Sequence, residues 1–263
     1  MKIYLQAYTY MPVHAIAAAA LSVGTGKGVR LLGAELTDRD AVAAFLDTCR
    51  GHLSSVLEFA SFNFFWEDVP IFLLRELVRH RVGCSYAEQS LRFAVMDAAR
   101  IERFPDTYAP SIEEGSGAHI LFKDALVQQI ATYQNLLALG VTVQDARTVL
   151  GVWVPTHITT AFTYRALRDI LSLRQTSQAH PAWQDAVTQI KALMADVHPV
   201  LAEELRDVCA LTGRCVWQSK LDRPCSACAA RGMDPNHVHA WTKFHDGWYY
   251  CSCGERTQHA ALS

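Results

Sequence analysis

The chain has 263 residues, 51% of them hydrophobic and 19% charged, with a formal net charge of −2. That length is ample for a sizeable core in one large domain or two, and the charge balance gives no general attraction to nucleic acid or to a membrane surface. No stretch is long and apolar enough to span a bilayer, AIAAAAL near the start being far too short.

In chain order, residues 2–10 alternate as a strand and lack the layout of a signal peptide, so the cytoplasm is the expected compartment. Pro12 opens a helix through the alanine run. The glycine-rich SVGTGKG that follows has no GK[ST] spacing and is assigned no nucleotide role. Thr37, with Asp40 in a weak capping box, starts a helix whose inner side carries Val42, Phe45, Leu46 and Cys49 and which stops at Gly51. Leu57 to Phe65 reads as an aromatic-rich strand with Glu58 embedded, either facing water at an edge or buried with a partner. Pro70 suits the first turn of a helix running through Leu77.

That helix delivers Arg79-His80-Arg81 at its C-terminal end, ahead of a short polar loop and of Glu88, Ser90 and Arg92 on alternate residues. Guanidinium groups are planar, permanently charged forks suited to phosphates. Ser90 adds a hydroxyl donor and Glu88 an acceptor, equipment for a phosphorylated small molecule. A solvated basic helix end would also read RHR. The apolar PIFLLRELV just before it, however, puts these residues at the edge of a core, and Arg75 and Arg79 four apart repel on a helix unless an anion lies between them.

RFPDTYAPSIEEGSGAH is a loop, and His119 to Leu139 a long amphipathic helix stopped by Gly140. Thr142 and Asp145 begin a helix that carries Arg147 and ends before Pro155. THITTAF is a short β-branched run. YRALRDILSLR is a helix presenting Leu167, Ile170, Leu171 and Leu173 inward, with Arg165, Arg168 and Arg174 near its ends. A last helix is expected from about Ala182 to Cys209. Composition changes near Leu221, which gives two expected domains, 1–220 and 221–263.

The order of motifs resembles the flavin-dependent thymidylate synthases. That family's Gly-His-x-Ser/Thr segment with its glutamate is matched by Gly51-His52-Leu53-Ser54 and Glu58. Its Gln-x-x-Arg-His-Arg is matched by Glu76 and Arg79-His80-Arg81, and its Glu-x-Ser-x-Arg by Glu88 to Arg92. Later segments are matched by Ala146-Arg147 with Leu150 and by Arg165, Leu167, Leu173 and Arg174. The similarity runs from about Lys2 to Trp217. It implies an α/β (α+β) fold with a central mixed or antiparallel sheet and long helices, assembled as a homotetramer with shared sites. It also implies FAD-dependent methylation of dUMP to dTMP, with methylenetetrahydrofolate as one-carbon donor and NADPH as reductant.

Carried over by residue, the resemblance assigns flavin contacts to His52, Ser54, Arg79, His80, Arg81, Arg165 and Asp169. Arg79 also lies near the nucleotide, and Glu88 lies between flavin and nucleotide. Ser90, Arg92 and Arg147 bind the nucleotide, mainly at its phosphate, and Glu76 belongs to the same substrate site. Arg174 is the catalytic residue at the uracil edge, where a fixed cation favours ionised N3 and a more nucleophilic C5. No enzyme thiol attacks the base, so Cys49 and Cys84 need no role. The chain departs from the family at Glu76, a glutamine there, and at Thr163 and Asp169, both asparagines there. One extra residue lies between Arg81 and Ser90, another between His52 and Glu58, and Ala179-His180 replaces Ala-Gln. These changes motivate an alternative acceptor such as UMP or dCMP. A further alternative is an inactive scaffold.

Six of the eight cysteines lie between Cys209 and Cys253, a clustering that favours metal over disulfides. Cys225, Cys228, Cys251 and Cys253 form two close pairs suited to a structural, tetrahedral zinc. His237, His239 and His245 are possible substitutes, and whether Cys209 or Cys215 joins the site stays open. Arg231, Lys243, Trp241 and Trp248 could serve nucleic-acid or protein binding, although nothing in the pattern specifies which.

Overall fold

The computed structural model describes residues 1–25, 36–51, 54–96, 112–176, 179–212, 241–243, 249–251 and 256–257. Its centre is a four-stranded antiparallel sheet in the order β1-β2-β4-β3, formed by β1 (Lys2–Tyr8), β2 (Ser61–Pro70), β3 (Cys84–Glu88) and β4 (Pro155–Thr163). The period-2 alternation of a strand turns Phe62, Phe64 and Trp66 of β2 inward, beside Ile158, Thr160 and Phe162 of β4, all buried. Buried polar groups on this face are satisfied: Trp66 Nε1 donates to Thr160 Oγ1 at 3.0 Å, and the Thr156 hydroxyl donates to the Gln89 carbonyl at 3.4 Å.

Helices cover that face: α1 (Pro12–Thr25), α2 (Asp38–Arg50), α6 (Tyr164–Arg174) and α7 (Pro181–Val197). Thr37 caps α2 as expected, accepting from the Asp40 amide. The Tyr164 ring packs on Phe45 and Phe62, and its hydroxyl donates to the Leu201 carbonyl at 2.8 Å. Trp183 of α7 meets Trp66 edge-on at 6.4 Å, so α7 is anchored directly to the sheet.

A smaller core gathers Met96, Ile130, Tyr133, Ala146 and Val154 beneath α4 (Gly117–Ala138). Gly140, at φ +81°, ends that helical region in the left-handed conformation. Next come the single turn α5 (Val143–Ala146) and a 3-10 turn, Arg147–Val149. Beyond α7 lie α8 (Pro199–Glu203) and α9 (Val208–Thr212). A small sheet follows in the order β5-β6-β7: β5 (Trp241–Lys243), β6 (Tyr249–Cys251) and β7 (Arg256–Thr257).

Several expectations are corrected. Glu58 lies on a 3-10 helix, Ser54–Phe59, and the strand begins only at Ser61. The helix from Thr142 is broken, since Leu150 is already extended. The helix expected to reach Cys209 stops at Val197, because Pro199 cannot donate to the helix ladder and disfavours helical backbone at His198. Leu173 is exposed instead of inward. The segment after Arg81 is the edge strand β3. Arg79 lies beyond the end of α3 (Ile71–Leu77), so the like-charge helical argument for Arg75 and Arg79 does not hold; both sit at the carbonyl end, where cations are favourable. The boundary near Leu221 lies outside the described residues, as do His52, Cys225, Cys228 and Cys253, and Cys251 is described only by its backbone on β6.

Candidate active site

The Arg79-His80-Arg81 turn is held by three devices. At its near end, α3 follows a β-bulge between Trp66 and Val69, where Asp68 has φ +55° and redirects the chain off the sheet. Across its middle, the Tyr86 hydroxyl of β3 lies 3.0 Å from the Leu77 carbonyl and 2.7 Å from that of His80, a shared donor fastening the turn to the strand. At its far end, Gly83 has φ +69°, and its carbonyl accepts from the Thr163 amide at 2.9 Å. A Cβ on Gly83 would lie 2.4 Å from Thr163 Oγ1, so glycine is required both for conformation and for space.

The His80 side chain points into a charged cluster. Arg174, at the C-terminal end of α6, donates from Nη1 to Glu76 Oε2 at 2.5 Å and from Nη2 to the Glu76 carbonyl at 3.4 Å. Trp183 Nε1 donates to the same Oε2 at 3.0 Å, and the Arg174 guanidinium lies over the Trp183 ring, 5.1 Å from its centroid. Burial, then Arg174, lower the His80 pKa, while Glu76 pulls it upward. His80 Nε2 and Arg174 Nε are buried without hydrogen-bond partners. Unsatisfied buried nitrogens in a charged cluster mark a place where a ligand would complete the bonding.

A second group centres on Gln144 of α5. Arg92 Nε donates to Gln144 Oε1 at 3.0 Å, and Arg147 Nε donates to the Gln144 carbonyl at 3.2 Å. The Ser90 hydroxyl accepts from the Arg92 amide at 3.3 Å. Ser90 and Arg92, close in the chain, and the distant Arg147 are thus linked through Gln144. Ser90 and Arg92 lie in the turn after β3, so their alternate spacing with Glu88 is not that of one strand.

The third group joins the 3-10 helix to α6. Arg165 Nη1 donates to Glu58 Oε1 at 2.8 Å, which answers the open question about Glu58: it is paired, and both side chains are well exposed. Ser54 begins the same 3-10 helix. Thr163 accepts the Ala166 amide as the N-cap of α6. Desolvation raises the Asp169 carboxyl pKa, against Arg165 and Arg168, and raises that of Glu88. Among the described residues no side-chain hydrogen bond or ion pair links the three groups.

Arg79 and Arg81 are exposed and take part in none of the ion pairs among the described residues. Burial pushes the Cys49 thiol to about 12 and also raises Cys84, so neither thiol is activated. Trp183 and Tyr86 were missed in the sequence; Tyr86 sits two residues from Glu88 in a short strand, and no local pattern links Trp183 to Glu76. No group of three or more metal-ligating side chains occurs among the described residues.

The family model of thymidylate synthase complementing protein matches residues 5–200, stopping before the cysteine-rich tail. The chain is 32% identical over 217 residues to the flavin-dependent thymidylate synthase of Geobacter sulfurreducens, covering 82% of this chain and 90% of that one. It is 28% identical over 207 residues to the enzyme of that name from Pyrococcus furiosus, covering 76% and 83%. Among solved structures, a UMP/dUMP methylase from Streptomyces cacaoi bound with 5-Br dUMP shares the fold at a TM-score of 0.60 and 24% identity, over 77% of this chain and 93% of that one. Thymidylate synthase X from Helicobacter pylori with FAD and dUMP does so at 0.58 and 19%, over 78% and 98%. With the antiparallel sheet, the arginine-rich turn and these similarities together, the chain belongs to the flavin-dependent thymidylate synthase family.

Proposed function

We propose that this protein is an FAD-dependent methyltransferase that converts dUMP to dTMP, with methylenetetrahydrofolate as one-carbon donor and NADPH as reductant. Family membership supports this reading, as do the names of its relatives and the FAD and dUMP in the Helicobacter pylori structure. The observation that carries it is the convergence of His80 and Arg174, each with a buried unpartnered nitrogen, on one cluster beside two exposed arginines.

Those residues fit FAD: Arg79 and Arg81 offer forks for a diphosphate, and His80 Nε2 offers a hydrogen-bonding position. His52, Ser54, Arg165 and Asp169 are the further proposed flavin contacts, and Glu88 lies between flavin and nucleotide. Bound FAD supplies the redox chemistry. Ser90, Arg92 and Arg147 hold the nucleotide phosphate, and Arg174 faces the uracil edge from its seat on Trp183. Formation of dTMP from dUMP, methylenetetrahydrofolate and NADPH tests the proposal.

A second acceptor, UMP or dCMP, is the alternative reading, and UMP is supported by one observation: the fold neighbour from Streptomyces cacaoi is a UMP/dUMP methylase. Comparing the three nucleotides as acceptors separates these readings. The homotetramer is supported by exposed Ile120, Leu121 and Val127 on α4, apolar surface suited to a second copy, and solution scattering tests it. No helix among the described residues is long and apolar enough to cross a membrane, and the cytoplasm is the compartment we propose. For the tail, the spacing of Cys225, Cys228, Cys251 and Cys253 supports a structural zinc, tested by metal content of the purified chain.

A further inference from the structure

Arg174 is the last residue of α6, the place where a helix ordinarily frays. Glu76 and Trp183 hold its guanidinium, but those contacts leave the backbone that carries it unsecured. The next two residues supply that hold. Gln175 reaches in two directions: its Nε2 donates to the Leu205 carbonyl at 3.1 Å, and its Oε1 accepts from Lys191 Nζ of α7 at 3.2 Å. The Thr176 carbonyl accepts from Gln184 Nε2 of α7 at 3.1 Å, while the Thr176 hydroxyl donates to the Leu173 carbonyl at 3.0 Å.

The partners of Gln175 are chemically one-sided. An ammonium only donates and a carbonyl only accepts, so the amide satisfies both in a single orientation. Lys191 is half-buried, and burial lowers its pKa against an upward pull from Asp207. Asp207 offsets part of the desolvation, yet an ammonium set there to serve a neutral amide is costly for stability alone. Placement of the helix end explains the arrangement better than added stability does.

We infer that Gln175 and Lys191 are positioning residues: Lys191 locks the Gln175 amide, and the locked amide holds the end of α6 so that Arg174 meets the pyrimidine in one place. This role rests on the proposed function, which sets Arg174 at the uracil edge. Among the described residues, neither side chain hydrogen-bonds to Arg174, Glu76 or Trp183, so both act through the backbone. A displacement of about 1 Å at a reacting group can cost about 10²-fold in rate, and a frayed last turn moves its side chains by at least that much.

The test compares the flavin-loaded full chain with Lys191→Met, Gln175→Ala and the double variant. Lys191→Met keeps an unbranched apolar stem and removes the ammonium. Three quantities are read: kcat and KM for dTMP formation, the thermal midpoint, and the N3 pKa of bound 5-fluoro-dUMP, followed by fluorine NMR without folate. In the parent, the Arg174 cation should hold the bound N3 pKa below that of the free nucleotide. Each single variant should lower kcat by about tenfold and raise the bound N3 pKa toward the free value. KM for dUMP should change by less than about twofold, because Ser90, Arg92 and Arg147 still hold the phosphate. Lys191→Met should melt no lower than the parent, which a merely structural role would not allow. The double variant should lose no more than Gln175→Ala alone, since Lys191 acts through Gln175.

Parental kcat and N3 pKa in Lys191→Met overturn the inference, and they do so even if Gln175→Ala fails to fold. A double variant whose loss is the product of the two single losses overturns it as well. A parent that binds no 5-fluoro-dUMP, or binds it with an unshifted N3 pKa, overturns the proposed role of Arg174 and the positioning role with it.

Discussion

Arg174 and Glu76 stand 98 positions apart in the chain and meet at 2.5 Å, closing the end of α6 onto the last turn of α3. This contact joins the helix that follows β4 to the helix that leads into the arginine-rich turn. A change on either side disturbs the proposed uracil edge, while the flavin turn keeps its own ties through Tyr86 and Gly83.

Arg174→Ala should keep its flavin, because the turn has its own ties through Tyr86 and Gly83, and should lose dTMP formation by about 10²–10³-fold. Stability should fall by about 1–2 kcal/mol, less than for a fully buried pair because Glu76 remains partly exposed. Flavin absorbance, turnover and a urea midpoint measured on one preparation check all three. Normal methylation by the variant would remove Arg174 from the mechanism.

Gly83→Ala places a Cβ 2.4 Å from Thr163 Oγ1 at a backbone φ of +69°. We expect a loss of about 1–3 kcal/mol, with weaker flavin retention because the turn and the α6 cap shift together. Thermal melting with and without added FAD measures both effects.

Tyr86→Phe removes the donor shared by the Leu77 and His80 carbonyls. The expected cost is about 1–2 kcal/mol. The variant should also show a raised FAD dissociation constant while far-ultraviolet circular dichroism stays unchanged.

Arg165→Ala should separate stability from cofactor binding. Its ion pair with Glu58 is solvent-exposed, at 39% and 43% for the two side chains, so unfolding should change by less than about 1 kcal/mol. FAD affinity should fall by about tenfold through loss of a charged donor. Equilibrium titration of the apoprotein with FAD gives the second number.

The pH dependence of stability carries a sign set by His80, whose pKa in the folded protein is lowered by burial and by Arg174. The unfolded chain binds the proton more readily, so stability present at neutral pH is lost as pH falls from the unfolded value through the lowered folded one. Urea midpoints between about pH 7.5 and 5.5 should drop less in His80→Gln than in the parent.

The sequence made some of this legible for local reasons. Thr37 and Thr142 announce their helices because capping needs only three residues, and both accept the amides of Asp40 and Asp145. The inward Leu167, Ile170 and Leu171 follow from helical period. The clustering of Ser90, Arg92 and Arg147 came from family resemblance, and its cause, Gln144, carries no signal of its own. β3 was hidden because an edge strand of five residues, CSYAE, lacks an apolar alternation. The early strand start at Leu57 failed because aromatic content cannot tell a 3-10 turn from the strand beyond it. Trp183 is core, and its second duty, one N–H to Glu76, is a tertiary fact that no local pattern signals.

The central claim is tested most directly by purifying the full chain, recording its visible spectrum after FAD addition, and supplying dUMP, methylenetetrahydrofolate and NADPH. A flavin spectrum together with dTMP is the expected result. A chain that takes up no flavin and forms no dTMP would contradict the account.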